Sequence, residues 1–227
     1  MLPLLLEGGS EFGGQMSEPD LRALELAGGL DSPVRIIPAA AAPDQNHVRA
    51  GNNGLRWFRK LGARDVEVAY AIDPASAGDR SIASSLRSAR LIYLLGGFPS
   101  HLAATLAGSL AWDSVLEAHA GGAVIAGSSA GAMVLCEYFY DPYAKRVVRG
   151  LNLLSGVCVL PHHNAGGRGW VEKLTGQLPD TLLVGIDEQT GMLLENGLQQ
   201  WKVYGAGEVS IYRGGMEVYR RGEGFRL

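Results

Sequence analysis

Short apolar runs that favour strands alternate with longer helix-like stretches along most of this chain, and this alternation constrains its fold most. Apolar strands of about four to six residues are buried on both faces, which is typical of a parallel sheet covered by helices on each side. The predicted strands are residues 2–6, 34–38, 66–72, 91–95, 123–126, 182–186 and 192–194. The predicted helices are residues 17–27, 48–61, 100–106, 113–118 and 130–140.

The last part of the chain has a different pattern. Residues 201–205, 208–212 and 216–219 alternate polar and apolar side chains and are separated by glycines, which predicts antiparallel strands. We therefore predict an α/β fold, with an open, mostly parallel sheet sandwiched by helices and an antiparallel C-terminal tail. The chain has 227 residues and no internal repeat or linker, so a single domain over residues 1–227 is expected.

Composition excludes several classes of protein. The net charge is −3, from 20 basic and 23 acidic residues without a basic stripe, so no nucleic-acid partner is expected. No apolar run approaches the roughly 20 residues that cross a bilayer, so no membrane association is expected. The two cysteines, Cys136 and Cys158, lie in apolar runs and are predicted to be buried free thiols. A reducing, cytoplasmic location is the resulting prediction.

Glycine-rich or acidic sequence follows four of the predicted strands, at residues 8–11, 96–99, 127–131 and 187–188. Ligands of such sheets bind beyond the carboxyl ends of the strands. Residues 127–131 match the G-x-S-x-G nucleophile elbow, with an apolar strand before and a helical pattern after. Ser129 is therefore the candidate nucleophile, and the plain alternative is a Gly/Ser turn without chemistry.

A serine nucleophile needs a base. His162 and His163 directly follow the apolar run 157–161, and they are the histidine pair at a strand end after the elbow. Adjacent histidines in a strand point to opposite faces, and no H-E-x-x-H or C-x-x-C accompanies them, so no metal is predicted. The glycines of residues 205–207 precede a strand rather than a helix, so no dinucleotide or other cofactor is predicted.

The base in turn needs an orienting carboxylate. Between Ser129 and His162 only Glu137 and Asp141 are available, whereas an acid placed last in the chain would be Asp187 or Glu188. The latter pair follows the strand 182–186, so it is favoured on geometry, and Asp141 remains the alternative.

An oxyanion hole needs two backbone N–H donors. Ala130 follows the nucleophile and supplies the first. Gly97, in the glycine pair after the strand 91–95, is the candidate for the second.

Together these motifs resemble a known family. The sequence G-S-S-A-G-A of residues 127–132 is similar to the serine elbow of the cyanophycinase and dipeptidase E (aspartyl dipeptidase) family of serine peptidases. The resemblance spans about residues 4–212. Similar segments are the Gly96-Gly97 turn with His101-Leu102, the L-P-H-H of residues 160–163, the G-I-D-E-Q-T of residues 185–190 and the Y-G-A-G of residues 204–207.

This resemblance implies a fold like that of class I glutamine amidotransferases, with serine in place of their cysteine. It implies a triad of Ser129, His162 and Glu188, and hydrolysis of small peptides or of a β-aspartyl-arginine polymer. Family members that favour an amino-terminal aspartate need a positive pocket. The implied substrate-binding residues are Arg168, His101 and His163, and Arg168 is the one that would pair with a carboxylate. Family members form dimers as well as monomers, so a homodimer is one expectation.

The function predicted from the sequence is a serine exopeptidase that acts on short peptides, with a preference for an acidic residue. Leu160 and Phe98 depart from the family's pattern, which leaves the named specificities open. One alternative is an isopeptidase on aspartyl-linked polymer, and another is a non-catalytic amidotransferase-like binding module. A glutaminase-type amidotransferase is disfavoured because the elbow holds serine.

Overall fold

Strands of the computed structural model form a main sheet, a second sheet and a hairpin, and the structure describes residues 2–195 and 200–227. The strands are β1 (Leu4–Glu7), β2 (Val34–Ile37), β3 (Val66–Val68), β4 (Leu91–Leu94), β5 (Val124–Ser128), β6 (Tyr138–Asp141), β7 (Arg146–Arg149), β8 (Val157–Leu160), β9 (Leu182–Ile186), β10 (Thr190–Leu194), β11 (Trp201–Gly205), β12 (Glu208–Tyr212), β13 (Met216–Arg220) and β14 (Gly224–Phe225).

The helices are α1 (Ser17–Leu26), α2 (His47–Lys60), α3 (Pro74–Ala77), α4 (Arg80–Arg87), α5 (Pro99–Leu106), α6 (Leu110–Ala120), α7 (Ala130–Leu135) and α8 (Val171–Gln177). Within the described ranges, none of them is both long enough and apolar enough to cross a membrane.

The main sheet has eight strands in the order β14-β11-β10-β1-β5-β4-β2-β3. Strands β1, β5, β4, β2 and β3 are parallel to one another. Beyond β1 the sheet continues through antiparallel pairs, β1 with β10, β10 with β11 and β11 with β14. In β1, Leu4 and Leu6 pack into one apolar cluster while Leu5 packs into another, because alternate side chains of a strand point to opposite faces. The predicted α/β fold, with helices on both faces of a mostly parallel sheet, is therefore confirmed.

The structure also has a second sheet of four strands, in the order β13-β12-β9-β8, which the sequence pattern did not separate from the main sheet. Only β11 and β14 of the tail join the main sheet, while β12 and β13 extend the second. Strands β8 and β9 are parallel neighbours there, and their apolar side chains share a core with those of β1. An apolar run indicates that a strand is buried and not which strand it pairs with, so the sequence pattern could not separate the two sheets.

The helix that follows the elbow is shorter than predicted. Helix α7 ends at Leu135, and Cys136 has extended backbone dihedrals of φ −79° and ψ 170°. The aromatic side chains of Tyr138, Phe139 and Tyr140 then lie in β6, which pairs with β7. Aromatic residues favour strands, and this preference outweighs the apolar pattern that predicted a helix over residues 130–140.

Candidate active site

Ser129 occupies the sharp turn between β5 and α7. Its backbone dihedrals are φ 50° and ψ −113°, a conformation that a residue with a side chain rarely adopts. The flanking glycines are required sterically: a Cβ on Gly127 would lie 2.6 Å from the carbonyl carbon of Gly131, and one on Gly131 would lie 2.2 Å from the carbonyl oxygen of Leu94. The two glycines thus let the turn close, and the predicted strand–turn–helix setting of Ser129 is observed.

His162 follows β8 and faces the serine. Its Nε2 lies 2.8 Å from Ser129 Oγ, which is a hydrogen-bond distance. The backbone of His162 also has a positive φ of 48°, and its N–H donates to the carbonyl oxygen of Gly8 at 2.7 Å. This bond ties the end of β8, in the second sheet, to the end of β1, in the main sheet.

Glu188 follows β9 and completes a chain of hydrogen bonds. Its Oε1 lies 2.7 Å from His162 Nδ1, and its backbone N–H donates to Asn164 Oδ1 at 3.0 Å. The hydrogen bond from His162 lowers the pKa of Glu188 below its ordinary value, which favours the carboxylate form. A carboxylate in this position fixes the imidazole with Nδ1 protonated and Nε2 free to accept the serine proton.

The alternative acid, Asp141, lies at the end of β6 with other partners. Its carboxylate accepts hydrogen bonds from the Ser100 hydroxyl and from the backbone N–H groups of Tyr143 and Ala144, at 2.8 and 3.0 Å for the two amides. These bonds lock the turn that joins β6 to β7. The geometry therefore favours Glu188 as the partner of His162.

A pair of glycines after β1 allows this loop to pack closely against the residues that follow β8 and β9. A Cβ on Gly8 would lie 2.1 Å from the carbonyl oxygen of Asp187, and one on Gly9 would lie 2.3 Å from His162 Cε1. Gly9 also has a φ of 119°, which disfavours other residues. The sequence marks these glycines as a strand end, but their contact with the histidine depends on packing between the sheets.

We expect Gly9→Ala to lower kcat/KM by about 100-fold or more, because its methyl group displaces the His162 ring from Ser129 and a misplacement of about 1 Å has an effect of this size. Steady-state kinetics measures the loss. Gly176→Ala is the matched control, since a Cβ there contacts nothing within 4 Å. Unchanged activity in Gly9→Ala would contradict the assigned contact.

Both candidate oxyanion donors lie at the serine. Ala130 directly follows Ser129 at the start of α7. A Cβ on Gly96 would lie 3.2 Å from Ser129 Cβ, so the turn that contains Gly97 adjoins the nucleophile. Gly97 has a φ of 136° and is packed against Ala40, and within the described part of the chain its N–H has no hydrogen-bond acceptor. The two N–H groups are thus available to stabilise an oxyanion.

The three residues predicted to bind substrate make no hydrogen bond to Ser129, His162 or Glu188 among the described residues. His101 Nε2 is 2.7 Å from the carbonyl oxygen of Ile72, and His163 is buried, with Nε2 2.8 Å from the Tyr212 hydroxyl and Nδ1 3.4 Å from Asp187 Oδ1. Arg168 borders a separate depression and contacts Met216 Sδ at 3.5 Å. These contacts indicate structural positions for the two histidines. In residues 2–195 and 200–227, no three His, Cys, Asp or Glu side chains are grouped to hold a metal ion.

A cleft of about 880 Å³ is lined by Gly96 and Gly97, in the turn that adjoins Ser129. Its walls are the loop after β1, the polar side of α2 and the end of β4 with Gly96 and Gly97. The side chains of Arg49, Arg56 and Lys60 give the α2 wall positive charge. The same helix buries Trp57 and Phe58 in the core, so its two sides have different roles. The sequence analysis predicted this helix but did not identify its basic side.

A buried pair of carboxyl groups lies beneath the site. Glu7, in β1, and Asp20, in α1, are both fully buried. Trp57 Nε1–H donates to Asp20 Oδ2 at 2.7 Å, and the Tyr93 hydroxyl donates to Glu7. Burial and the charge of Asp20 raise the pKa of Glu7 well above its ordinary value, and burial raises that of Asp20 from 3.8 to about 7. A proton shared by the pair satisfies Glu7 Oε1 and Asp20 Oδ1, which have no other donor among the described residues.

We expect Asp20→Asn to raise the free energy of unfolding at pH 8 by roughly 1–3 kcal/mol. In the wild type the folded state keeps a proton that the unfolded state loses above pH 4, so its stability falls as the pH rises to about 7. The asparagine amide supplies a permanent donor in place of that proton. Urea denaturation at pH 5 and pH 8 measures the difference, with exposed Asp180→Asn as control. If the free energy of unfolding changed by the same amount between pH 5 and pH 8 in Asp20→Asn and in wild type, a shared proton would be excluded.

The sequence of this chain is similar to those of cyanophycinases. The cyanophycinase of Synechococcus elongatus is 29% identical over 198 residues, which cover 82% of this chain and 60% of the relative. The cyanophycinase of Geminocystis herdmanii is 26% identical over 222 residues, covering 93% and 80%. The first of these relatives is therefore considerably longer than this chain.

Two solved structures share the fold. The crystal structure of a peptidase from an acI-B1 Actinobacterium superposes with a TM-score of 0.89 at 26% identity, covering 100% of this chain and 97% of that one. A candidate peptidase E from Listeria monocytogenes EGD-e gives a TM-score of 0.67 at 21% identity, covering 91% and 100%. The second likeness shows a common fold alone.

A serine elbow beside a histidine and a carboxylate, at the carboxyl end of strands in an α/β fold, is an arrangement that serine hydrolases use. The model of peptidase family S51 matches residues 4–200, which is most of the chain. The chain belongs to peptidase family S51. The resemblance to this family of peptidases is thereby confirmed.

Proposed function

We propose that this protein is a serine exopeptidase that hydrolyses short peptides through Ser129, His162 and Glu188. One observation carries the proposal: the three side chains form a continuous hydrogen-bonded chain, with 2.8 Å between Ser129 Oγ and His162 Nε2 and 2.7 Å between His162 Nδ1 and Glu188 Oε1. The non-catalytic alternative, a binding module, gives no reason for this chain or for the unfavourable backbone of Ser129.

The chemistry follows from these positions. Ser129 Oγ attacks the peptide carbonyl carbon while His162 Nε2 takes its proton, and the N–H groups of Gly97 and Ala130 stabilise the oxyanion. His162 then donates that proton to the leaving amine, and a water molecule hydrolyses the acyl-enzyme by the same steps. Glu188 orients the imidazole and stabilises its protonated form throughout.

The polymer-cleaving alternative is favoured by one observation, the likeness to cyanophycinases. These relatives share less than a third of their residues with this chain, so they leave the substrate open. Cys136 argues against a glutaminase, which would need a reactive cysteine. It is the cysteine closest to the elbow in sequence, but its thiol is fully buried and burial raises its pKa.

The basic wall of the cleft supports a preference for acidic substrates. Arg49 and Arg56 are exposed on α2, and each is held by an asparagine one turn earlier, at 2.8 Å for Asn46 and 2.5 Å for Asn53. Arginine binds carboxylates in paired hydrogen bonds. We therefore propose that α2, rather than Arg168, selects an acidic residue.

The test is hydrolysis of a library of dipeptides and tripeptides, and of β-aspartyl-arginine polymer. We expect release of amino acids from dipeptides, with an acidic preference that Arg56→Gln reduces by about 10-fold, the loss of one charge-assisted hydrogen bond. Arg64→Gln, an exposed arginine paired with Asp31, is the control. Loss of the preference in Arg168→Gln instead would contradict the assignment to α2. Cleavage of the polymer without cleavage of dipeptides would favour the isopeptidase.

A further inference from the structure

We infer that Glu11 binds the free α-ammonium group of the substrate, so that cleavage occurs after the first residue of a peptide. This inference rests on the proposed function and adds which end of the peptide is recognised. Glu11 lies in the loop after β1, in the wall of the cleft, and it is partly exposed. It has no part in the hydrogen-bonded chain of Ser129, His162 and Glu188.

The Glu11 carboxylate is fixed at one oxygen and open at the other. The hydroxyl of Ser128, which precedes the nucleophile and is fully buried, donates to Glu11 Oε2 at 2.9 Å. Among the described residues no donor contacts Oε1. A Cβ on Gly96 would lie 3.1 Å from Glu11 Oε1 and 3.2 Å from Ser129 Cβ, so the open oxygen and the nucleophile flank the same small space.

An α-ammonium group fits this space by bond geometry. In a peptide the nitrogen of a residue lies about 2.5 Å from its own carbonyl carbon. An attacked carbonyl carbon lies about 3–3.5 Å from the nucleophile, and an ammonium donates to a carboxylate at about 2.7–2.9 Å. The nitrogen of the residue under attack can therefore reach Glu11 Oε1. A side-chain guanidinium is several bonds farther from its carbonyl and fits less well.

The charges of the cleft agree with this orientation. Arg49, Arg56 and Lys60 line the α2 side, whereas Glu11 is the carboxylate placed beside the nucleophile. The other lining carboxylate, Asp44, is exposed and precedes α2. A short peptide with an acidic first residue has a matching arrangement, with an ammonium at the reacting carbonyl and a carboxylate on the side chain.

The test measures binding to the Ser129→Ala protein, so it does not depend on turnover. Isothermal calorimetry compares aspartyl-leucine with N-acetyl-aspartyl-leucine, in Ser129→Ala and in Ser129→Ala/Glu11→Gln. We expect the free dipeptide to bind at least 10-fold more tightly than the acetylated one, and the glutamine variant to lose this difference. Glutamine keeps an acceptor for Ser128. Ser129→Ala/Glu172→Gln, a change at an exposed glutamate of α8, is the control and should keep the difference.

Nα-acetylarginine amide, which has a guanidinium but no free α-ammonium, is measured as a third ligand. Three results would overturn the inference. These are equal affinities of Ser129→Ala for the free and the acetylated dipeptide, an equal loss of affinity for both dipeptides in the glutamine variant, or a loss of affinity in that variant for Nα-acetylarginine amide alone. The first denies an ammonium site, the second indicates a structural role, and the third assigns a guanidinium. If the binding preference is present while wild-type protein cleaves no peptide, the proposed function fails and the ammonium site stands.

Discussion

Replacing Ser129 with alanine is expected to abolish peptide hydrolysis, with kcat falling by about 10⁴- to 10⁶-fold. The hydroxyl is the only group lost, and its hydrogen bond goes to His162 Nε2. The turn itself is defined by Gly127 and Gly131, so the fold should persist. The measurement is kcat on the preferred dipeptide, with circular dichroism and thermal unfolding as checks of the fold.

The matched control for this change is Ser84→Ala, an exposed serine in α4 that should leave kcat unchanged. A folded Ser129→Ala protein that still hydrolyses the dipeptide within about 10-fold of wild type would exclude Ser129 as the nucleophile, because removing a nucleophile has a far larger effect.

The second large effect separates the two candidate acids. Glu188→Gln is expected to lower kcat by about 10³- to 10⁴-fold, because a neutral amide no longer fixes the imidazole tautomer or stabilises its protonated form. Asp141→Asn is expected to leave kcat within about 3-fold and to lower stability by roughly 1 kcal/mol, since its bonds hold a turn. Both variants are compared by steady-state kinetics and urea denaturation.

A loss of activity in Asp141→Asn together with a nearly normal Glu188→Gln would reverse this assignment. The pH profile adds a second criterion. Because the hydrogen bond from His162 lowers the pKa of Glu188, the carboxylate stays ionised to lower pH than an ordinary glutamate. Protonation of Glu188 should therefore not limit activity at neutral pH.

Local sequence predicts the nucleophile turn well, because its structure is set by neighbouring residues. The apolar strand, the glycines at 127 and 131 and the serine between them require a sharp turn at Ser129. The pairs His162-His163 and Asp187-Glu188 were predicted for a related reason, since each pair follows an apolar strand. The resemblance to the serine peptidase family then singled out His162 and Glu188. These are properties of single segments, and segments are what a sequence pattern describes.

The parts of the site that were missed depend on contacts between distant segments. Glu7 ends a leucine-rich strand, and an acid there is an unusual signal, but Asp20 and its shared proton become evident only when α1 packs against β1. The basic wall of the cleft forms because α2 lies opposite the loop after β1. Arg168 was implied by the family resemblance, and in the structure it borders another depression.

Other expectations stay predictions. These are the single domain over residues 1–227, the cytoplasmic location, the homodimer and the absence of nucleic-acid and membrane partners.

Active-site labelling shows whether His162 activates Ser129 as a nucleophile. A peptidyl phosphonate is incubated with wild type, Ser129→Ala and His162→Ala, and the modified residue is located by peptide mass spectrometry. We predict one adduct on wild type, at Ser129, with none on Ser129→Ala and much slower labelling of His162→Ala. A folded wild-type protein that forms no adduct, or forms one on another residue, would contradict it.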